Sequence, residues 1–234
     1  MNSQLCVDCQ HCIFSEICKE CMFTQNIPIF NRAFQRKVFL SQGRALFNIG
    51  DKVKYLIAIR SGCLKIIDQD NILLNLQTPG QLIGGEDLHN GYYRTSAIAL
   101  QDTEVCMLDY SEMYGLSQIT LGTFRNMVNL LSETAYENQQ MIKVLVQPDA
   151  FLKVTSFILL MAERNKIKFF TEDNFSLPLT QKDLSSLLGI SPVTLRRVLD
   201  KLERDVGGIT IHDRKVVIKD IAQVRRSIRL HLMS

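Results

Sequence analysis

From Val38 to about Tyr110, apolar residues come in short runs. Tyr55-Leu-Ile-Ala-Ile-Arg60, Cys63-Leu-Lys-Ile-Ile67 and Ile72-Leu-Leu-Asn-Leu76 are separated by turns at Gly50, Gly62 and Gly80. Asn48-Ile-Gly-Asp51 and Thr78-Pro-Gly80 carry turn chemistry. Short strands at regular spacing with glycine turns predict an antiparallel barrel or jelly roll. Residues 24–40 read as a mixed, partly helical approach segment.

After Ser111 the period changes. Phe124, Met127, Val128, Leu131, Ala135, Ile142 and Leu145 recur at steps of three, four and seven, which predicts a helix with one apolar stripe. About 25 residues at ~1.5 Å each span ~35 Å, longer than a compact domain needs. Such a stripe is either a core face or a coiled-coil dimer seam. The seam is favoured because Pro148 ends the helix and a new domain begins at Pro148-Asp149. Lys153–Arg164 is a further amphipathic helix. Thr180–Leu188 and Ser191–Arg204 read as two helices joined by Gly189-Ile190, with Thr180 and Ser191 as N-caps and Pro192 at the first helical position. The alternating segment Ile209–Ile218 folds around a polar turn into a hairpin wing.

Two helices with a wing make a winged helix-turn-helix. In its second helix Leu195, Val198, Leu199 and Leu202 point inward, while Val193, Arg196, Arg197 and Lys201 share the outer side. Charge agrees with this reading. The net charge is +3, but residues 149–234 hold 15 Lys/Arg against 10 Asp/Glu, and residues 1–148 hold 12 against 14. A basic C-terminal third implies a polyanionic partner. The candidate DNA contacts are Ser191, Val193, Thr194, Arg196, Arg197 and Lys201.

The densest chemistry lies at the start. Cys6, Cys9, Cys12, Cys18 and Cys21 fall within sixteen residues, with Cys63 and Cys106 far downstream. Disulfides, zinc and an iron–sulfur cluster all use clustered cysteines. No basic start followed by an apolar run precedes them, so a cytoplasmic location is expected, where disulfides are uncommon. Zinc usually takes two separated ligand pairs, often with histidine, and only His11 is near. Iron–sulfur clusters accept irregular short spacings plus one distant thiolate, so spacing alone favours them. No run of about 18 apolar residues predicts a membrane span. A glycine-rich phosphate loop, a His-Glu-x-x-His pair and a Gly-x-Ser-x-Gly elbow are all absent, so enzymatic chemistry has little support.

Barrel, long helix and winged helix-turn-helix in this order resemble the bacterial CRP/FNR family of transcription regulators. Leu46-Phe-Asn-Ile-Gly-Asp51, Leu56-Ile-Ala-Ile-Arg-Ser-Gly62 and Gly80-Gln-Leu-Ile-Gly84 are similar to its barrel signatures, and Thr180–Arg197 is similar to its DNA-binding segment. The implied fold is α+β. It comprises a Cys-rich segment (1–24), a cyclic-nucleotide-binding-like β-barrel or jelly roll (25–112), a dimerisation helix (113–148) and a winged helix-turn-helix (149–234).

Within the family, Cys9-Gln-His-Cys12-Ile-Phe-Ser-Glu-Ile-Cys18 and Val105-Cys106 resemble the oxygen-sensing FNR branch. That resemblance implies a [4Fe–4S] cluster on Cys9, Cys12, Cys18 and Cys106. It also implies a homodimer that binds a two-fold operator in low oxygen and contacts RNA polymerase. Cys6, Cys21 and Cys63 are left over; Cys63 is expected as a small apolar residue in the barrel. One departure concerns the recognition helix. Where the branch typically presents Glu, Ser and Arg, this chain has Val193, Arg196 and Arg197, so its operator is expected to differ. The alternative is a regulator controlled by a cyclic nucleotide in the barrel, with zinc on the cysteines. Arg94-Thr95 offers the phosphate pair, but Gly85 stands where a ribose-binding Glu is needed, with Glu86 one residue off.

Overall fold

A computed structural model gives the fold and describes residues 12–15, 34–111, 121–169, 175–177, 179–206, 209–212 and 215–233. The chain forms two compact units, Met1–Tyr136 and Glu137–Ser234.

The first unit holds eight described strands: β1 (Phe34–Leu40), β2 (Ala45–Phe47), β3 (Tyr55–Ser61), β4 (Leu64–Ile67), β5 (Leu73–Gln77), β6 (Leu82–Ile83), β7 (Ser96–Ala99) and β8 (Thr103–Asp109). They make two antiparallel four-stranded sheets, β1-β8-β3-β6 and β2-β7-β4-β5. Between the sheets sits one core. Leu40, Ile57, Ile59, Ile83 and Val105 come from the first sheet; Phe47, Leu64, Ala97 and Ala99 come from the second. The jelly-roll expectation therefore describes this unit. Within the approach segment Phe34–Leu40 is strand β1, so the β region begins four residues ahead of Val38, while residues 24–33 lie outside the described residues. A bulge between Gln35 and Val38, with Lys37 at φ 59°, breaks the two-residue alternation that would have marked the strand.

The long helix α1 is Leu121–Leu145, 25 residues, and the division between units falls within it. The second unit continues with α2 (Ala150–Phe169), β9 (Phe175–Leu177), α3 (Gln181–Leu188), α4 (Pro192–Lys201), one π-helical turn (Leu202–Val206), β10 (Ile209–His212), β11 (Lys215–Ile218) and α5 (Ile221–Met233). The wing hairpin is β10–β11, and β9 adds a third strand to it. Sequence periodicity did not anticipate β9 or α5. It also ran the second short helix to Arg204, whereas α-helical geometry ends at Lys201 and the π turn follows. The core of this unit is Leu152, Phe157, Ile158, Met161, Leu184, Leu188, Leu195, Leu199, Leu202 and Val224. Arg164 is buried there and donates from Nη2 to the Glu137 carbonyl at 3.3 Å. Burial lowers its pKa, opposed by the Glu137 charge.

Helix α1 carries two apolar rows. Leu130, Met141 and Val144 are buried, with Met127, Thr134 and Glu137 completing that row at steps of three and four. The second row is Phe124, Val128, Leu131, Ala135, Asn138, Ile142 and Leu145, at strict four-three spacing. Phe124, Val128 and Ile142 are 53%, 48% and 57% exposed.

One turn of the sandwich tolerates only glycine. Gly62 has φ +92°, and a Cβ there would stand 2.6 Å from Thr103 Cα and from the Asp102 carbonyl. Gly43 has φ +80° but open space around it. Gly62→Ala is expected to cost well beyond the roughly 1–3 kcal/mol of a left-handed backbone alone, while Gly43→Ala should cost no more than that. Chemical denaturation checks the ranking; equal losses would contradict it.

Candidate DNA interface and thiol site

Thr180 opens α3: its Oγ1 accepts from the Asp183 N–H at 3.1 Å. Gly189 closes the helix in the left-handed region at φ 62°, where an L side chain would be strained. Ser191 then caps α4. Its Oγ accepts from the Thr194 N–H at 3.0 Å and lies 2.8 Å from Thr194 Oγ1. Both hydroxyls thus fix the start of the helix, and their caps orient the face that follows.

That face divides as the sequence predicts. Leu195, Val198, Leu199 and Leu202 are buried. Val193 is 63% exposed, and Arg196, Arg197 and Lys201 are exposed. The four outward residues are not equivalent. Arg196 Nε donates to Asp200 Oδ1 at 2.8 Å. Lys201 Nζ lies 5.0 Å from the centre of the Phe151 ring on α2. The Arg197 side chain makes no hydrogen bond or ion pair among the described residues. A guanidinium suits guanine O6 and N7, and an exposed valine suits a thymine methyl. Asp200 was missed in the sequence, although its spacing of four from Arg196 was visible.

Cys106 lies on β8, opposite Ala58 of β3, and is 8% exposed. Its neighbours Val105 and Met107 turn into the sandwich. Cys106 therefore faces the other side of the sheet, with Leu56, Ala58, Leu82 and Leu108, all buried. Helix α1 reaches that face. A Cβ on Gly85 would meet Leu131 Cδ2 at 2.9 Å, with Leu56 and Leu82 just beyond. Arg60 Nη1 donates to Glu104 Oε1 at 2.7 Å, two residues before Cys106. Cys12 is also 8% exposed, and Phe14 beside it is fully buried. Cys63 is fully buried in the barrel, as expected for a small apolar residue. Cys6, Cys9, Cys18 and Cys21 lie outside the described residues. Among the described residues no three of Cys, His, Asp and Glu gather into a metal-binding group. The donor chemistry fits an iron–sulfur cluster: two of the four expected ligands are buried thiols, and thiolate is the ligand such clusters take.

The barrel's own polar cluster is closed on itself. Asp87, 5% exposed, accepts from Arg94 Nε at 2.6 Å and from the Arg94 N–H at 2.9 Å. Glu86 is exposed, and its carboxylate accepts from the Gly84 N–H at 3.0 Å. Tyr93 stacks on Phe47 at 3.7 Å and donates to the Tyr55 carbonyl. Burial first, and then the charges of Glu86, Asp87 and Asp51, raise the phenol pKa, so it stays protonated.

Comparison with known proteins matches this architecture. A family model described as the Crp-like helix-turn-helix domain matches residues 153–227, and one described as the cyclic nucleotide-binding domain matches residues 37–119. The chain is 27% identical over 221 residues to the fumarate and nitrate reduction regulatory protein of Escherichia coli, covering 92% of this chain and 87% of that protein. It is 26% identical over 220 residues to the anaerobic regulatory protein of Pasteurella multocida, covering 92% and 80%. Among solved structures, FixK2 from Bradyrhizobium japonicum superposes with a TM-score of 0.68 at 18% identity, over 81% of this chain and 95% of that one. A CRP-family transcriptional regulator from Thermus thermophilus gives 0.64 at 18%, over 81% and 95%. No described helix is long and apolar enough to cross a membrane. With a jelly-roll sandwich, a long helix and a winged helix-turn-helix in that order, and with a Crp-like helix-turn-helix domain behind a cyclic nucleotide-binding domain, the findings together support a DNA-binding transcription regulator of the CRP/FNR family.

Proposed function

We propose that this protein is a cytoplasmic regulator that senses oxygen or redox state, with Cys9, Cys12, Cys18 and Cys106 as the ligands of a [4Fe–4S] cluster. The observation that carries this reading is the side of β8 on which Cys106 sits. A thiol on the outer sheet face, beside the Leu56–Leu82 surface where Leu131 of α1 packs, can link the Cys-rich segment to the long helix. When bound, the cluster supplies an iron–sulfide core that oxygen can destroy. Cys12 and Cys106 would supply thiolates from buried positions, and ligation would join the segment that contains Cys12 to β8. Relatives named for fumarate and nitrate reduction and for anaerobic regulation support the same reading.

The exposed row of α1 supports a homodimer. Phe124, Val128, Leu131, Ala135, Asn138, Ile142 and Leu145 follow the alternation of a coiled-coil seam. Asn138 is the polar position in that seam, a residue type that specifies register at a cost in stability. A two-fold dimer sets two copies of α4 about one DNA turn apart, so the operator has two related halves roughly 34 Å apart. Ser191, Val193, Thr194, Arg196, Arg197 and Lys201 form or support the contact surface. RNA polymerase is the further partner through which such a regulator acts.

Cyclic-nucleotide control is the second reading, favoured by the domain model that matches residues 37–119. Two features weigh against it. Asp87 already occupies the Nε edge of Arg94, and Gly85 brings no carboxylate where a ribose-binding Glu is needed, while Glu86 beside it accepts from the Gly84 N–H.

Two experiments test the proposal. Protein purified without air should be brown, contain iron and sulfide in equal amounts near four each, and bleach on exposure to air. Cys106→Ser should lose most of that iron and the oxygen-dependence of DNA binding. A colourless, zinc-containing wild type that binds DNA equally in air overturns the oxygen-sensing reading. Separately, Ile142→Glu removes about 1.5–3 kcal/mol of side-chain burial from each protomer of the seam, so dimer association should weaken by at least about 100-fold. Sedimentation velocity reads this directly, and an unchanged dimer would show that α1 is not the seam.

A further inference from the structure

We infer that Asp200 is a positioning residue for base reading: it holds Arg196 so that this side chain, as well as Arg197, recognises a guanine. The inference rests on α4 being the DNA-reading helix.

The geometry is specific about which edge of the guanidinium is engaged. Asp200 Oδ1 accepts from Arg196 Nε at 2.8 Å. A guanidinium has a side edge, formed by Nε and one Nη, and an end edge formed by both Nη groups. Asp200 occupies the side edge. The end edge keeps two parallel donors, the pattern that matches guanine O6 and N7. Val193 and Arg196 are three apart, and Val193 and Arg197 four apart, so all three share the outward face. Clamping also prepays part of the rotamer entropy that a long side chain loses on binding.

The cost of Asp200 points the same way. A carboxylate on the outer face of a recognition helix repels DNA phosphates, and phosphate attraction supplies nearly all non-specific affinity. Arg196 and Asp200 have side chains 55% and 37% exposed, and an exposed pair one turn apart adds little to helix stability. Asp200 is thus poorly explained by affinity or by stability. Discrimination remains: it weakens attraction to every sequence and sharpens the reading of one base pair.

The test is competition binding with the full chain under its DNA-binding condition, against duplexes randomised within the half-site. Arg196→Ala and Arg197→Ala should each flatten guanine preference at a different position, by on the order of 10- to 100-fold. Asp200→Asn should flatten the Arg196 position by roughly 3- to 10-fold, a fraction of that full base contact, and should also raise affinity for random DNA. In an Arg196→Ala background, Asp200→Asn should change base preference no further, because its effect runs through Arg196. Helix content and binding to random DNA show that each variant is folded. If Asp200→Asn leaves preference at that position intact, the inference fails. A preference change that persists without Arg196 also overturns it, because Asp200 would then read a base itself. If neither arginine variant alters base preference, α4 is not the reader, and the failure lies in the underlying placement rather than in the clamp.

Discussion

Strand β8 is buried on both faces, and much of the first unit follows from that. A strand alternates sides at every residue. In most antiparallel sandwiches one side meets water. Here Val105 fills the core between the sheets, while Cys106 and Leu108 point the other way into a surface shared with Leu56, Ala58 and Leu82. That outer surface needs a cover, and Leu131 of α1 provides part of it next to Gly85. The absence of a side chain at Gly85 lets the helix approach so closely. A single slip of register in β8 would exchange Val105 and Cys106, moving the thiol into the core and away from the helix.

Helix α1 divides its residues between two rows. One, including Leu130, Met141 and Val144, is buried, and Leu131 of the other covers part of the sheet beside Gly85. The other runs from Phe124 to Leu145 at the same three- and four-residue steps, with Phe124, Val128 and Ile142 largely exposed. Exposed phenylalanine, valine and isoleucine at regular spacing on one helix are hard to reconcile with an isolated chain in water.

In the second unit, local chemistry sets the exposed face of α4. Caps at Thr180 and Ser191 and the left-handed turn at Gly189 fix where α3 stops and α4 begins. Leu195, Leu199 and Leu202 then lock the rotation of α4 against its neighbours. Once rotation is fixed, the exposure of Val193, Arg196 and Arg197 follows from the 3.6-residue period. In the barrel Arg94 is held as Arg196 is, through Nε, by Asp87 of the same unit, with its side chain 62% exposed.

Wherever short-range pattern suffices, the sequence alone determined the outcome. Glycine turns and apolar runs marked the strands β3 to β5, the caps marked α3 and α4, and inward leucines sorted the faces of α4. These features depend on neighbours within about four residues. Other features depend on contacts between distant segments, and only the tertiary structure decided them. Strand β1 was hidden by a bulge and a charged stretch, and its pairing with distant β8, from Phe34 with Leu108 to Leu40 with Thr103, is what makes it a strand. Strand β9 is three residues long and exists because β11 offers an edge. Helix α1 showed one apolar stripe in the sequence and two in the fold, because Leu130, Met141 and Val144 acquire meaning only once something lies against them. The side of the sheet on which Cys106 sits depends on register, which no spacing of cysteines records. The link from Arg196 to Asp200 had the right spacing all along, but spacing permits a contact without choosing its atoms, and only the folded side chains show which edge of the guanidinium is taken.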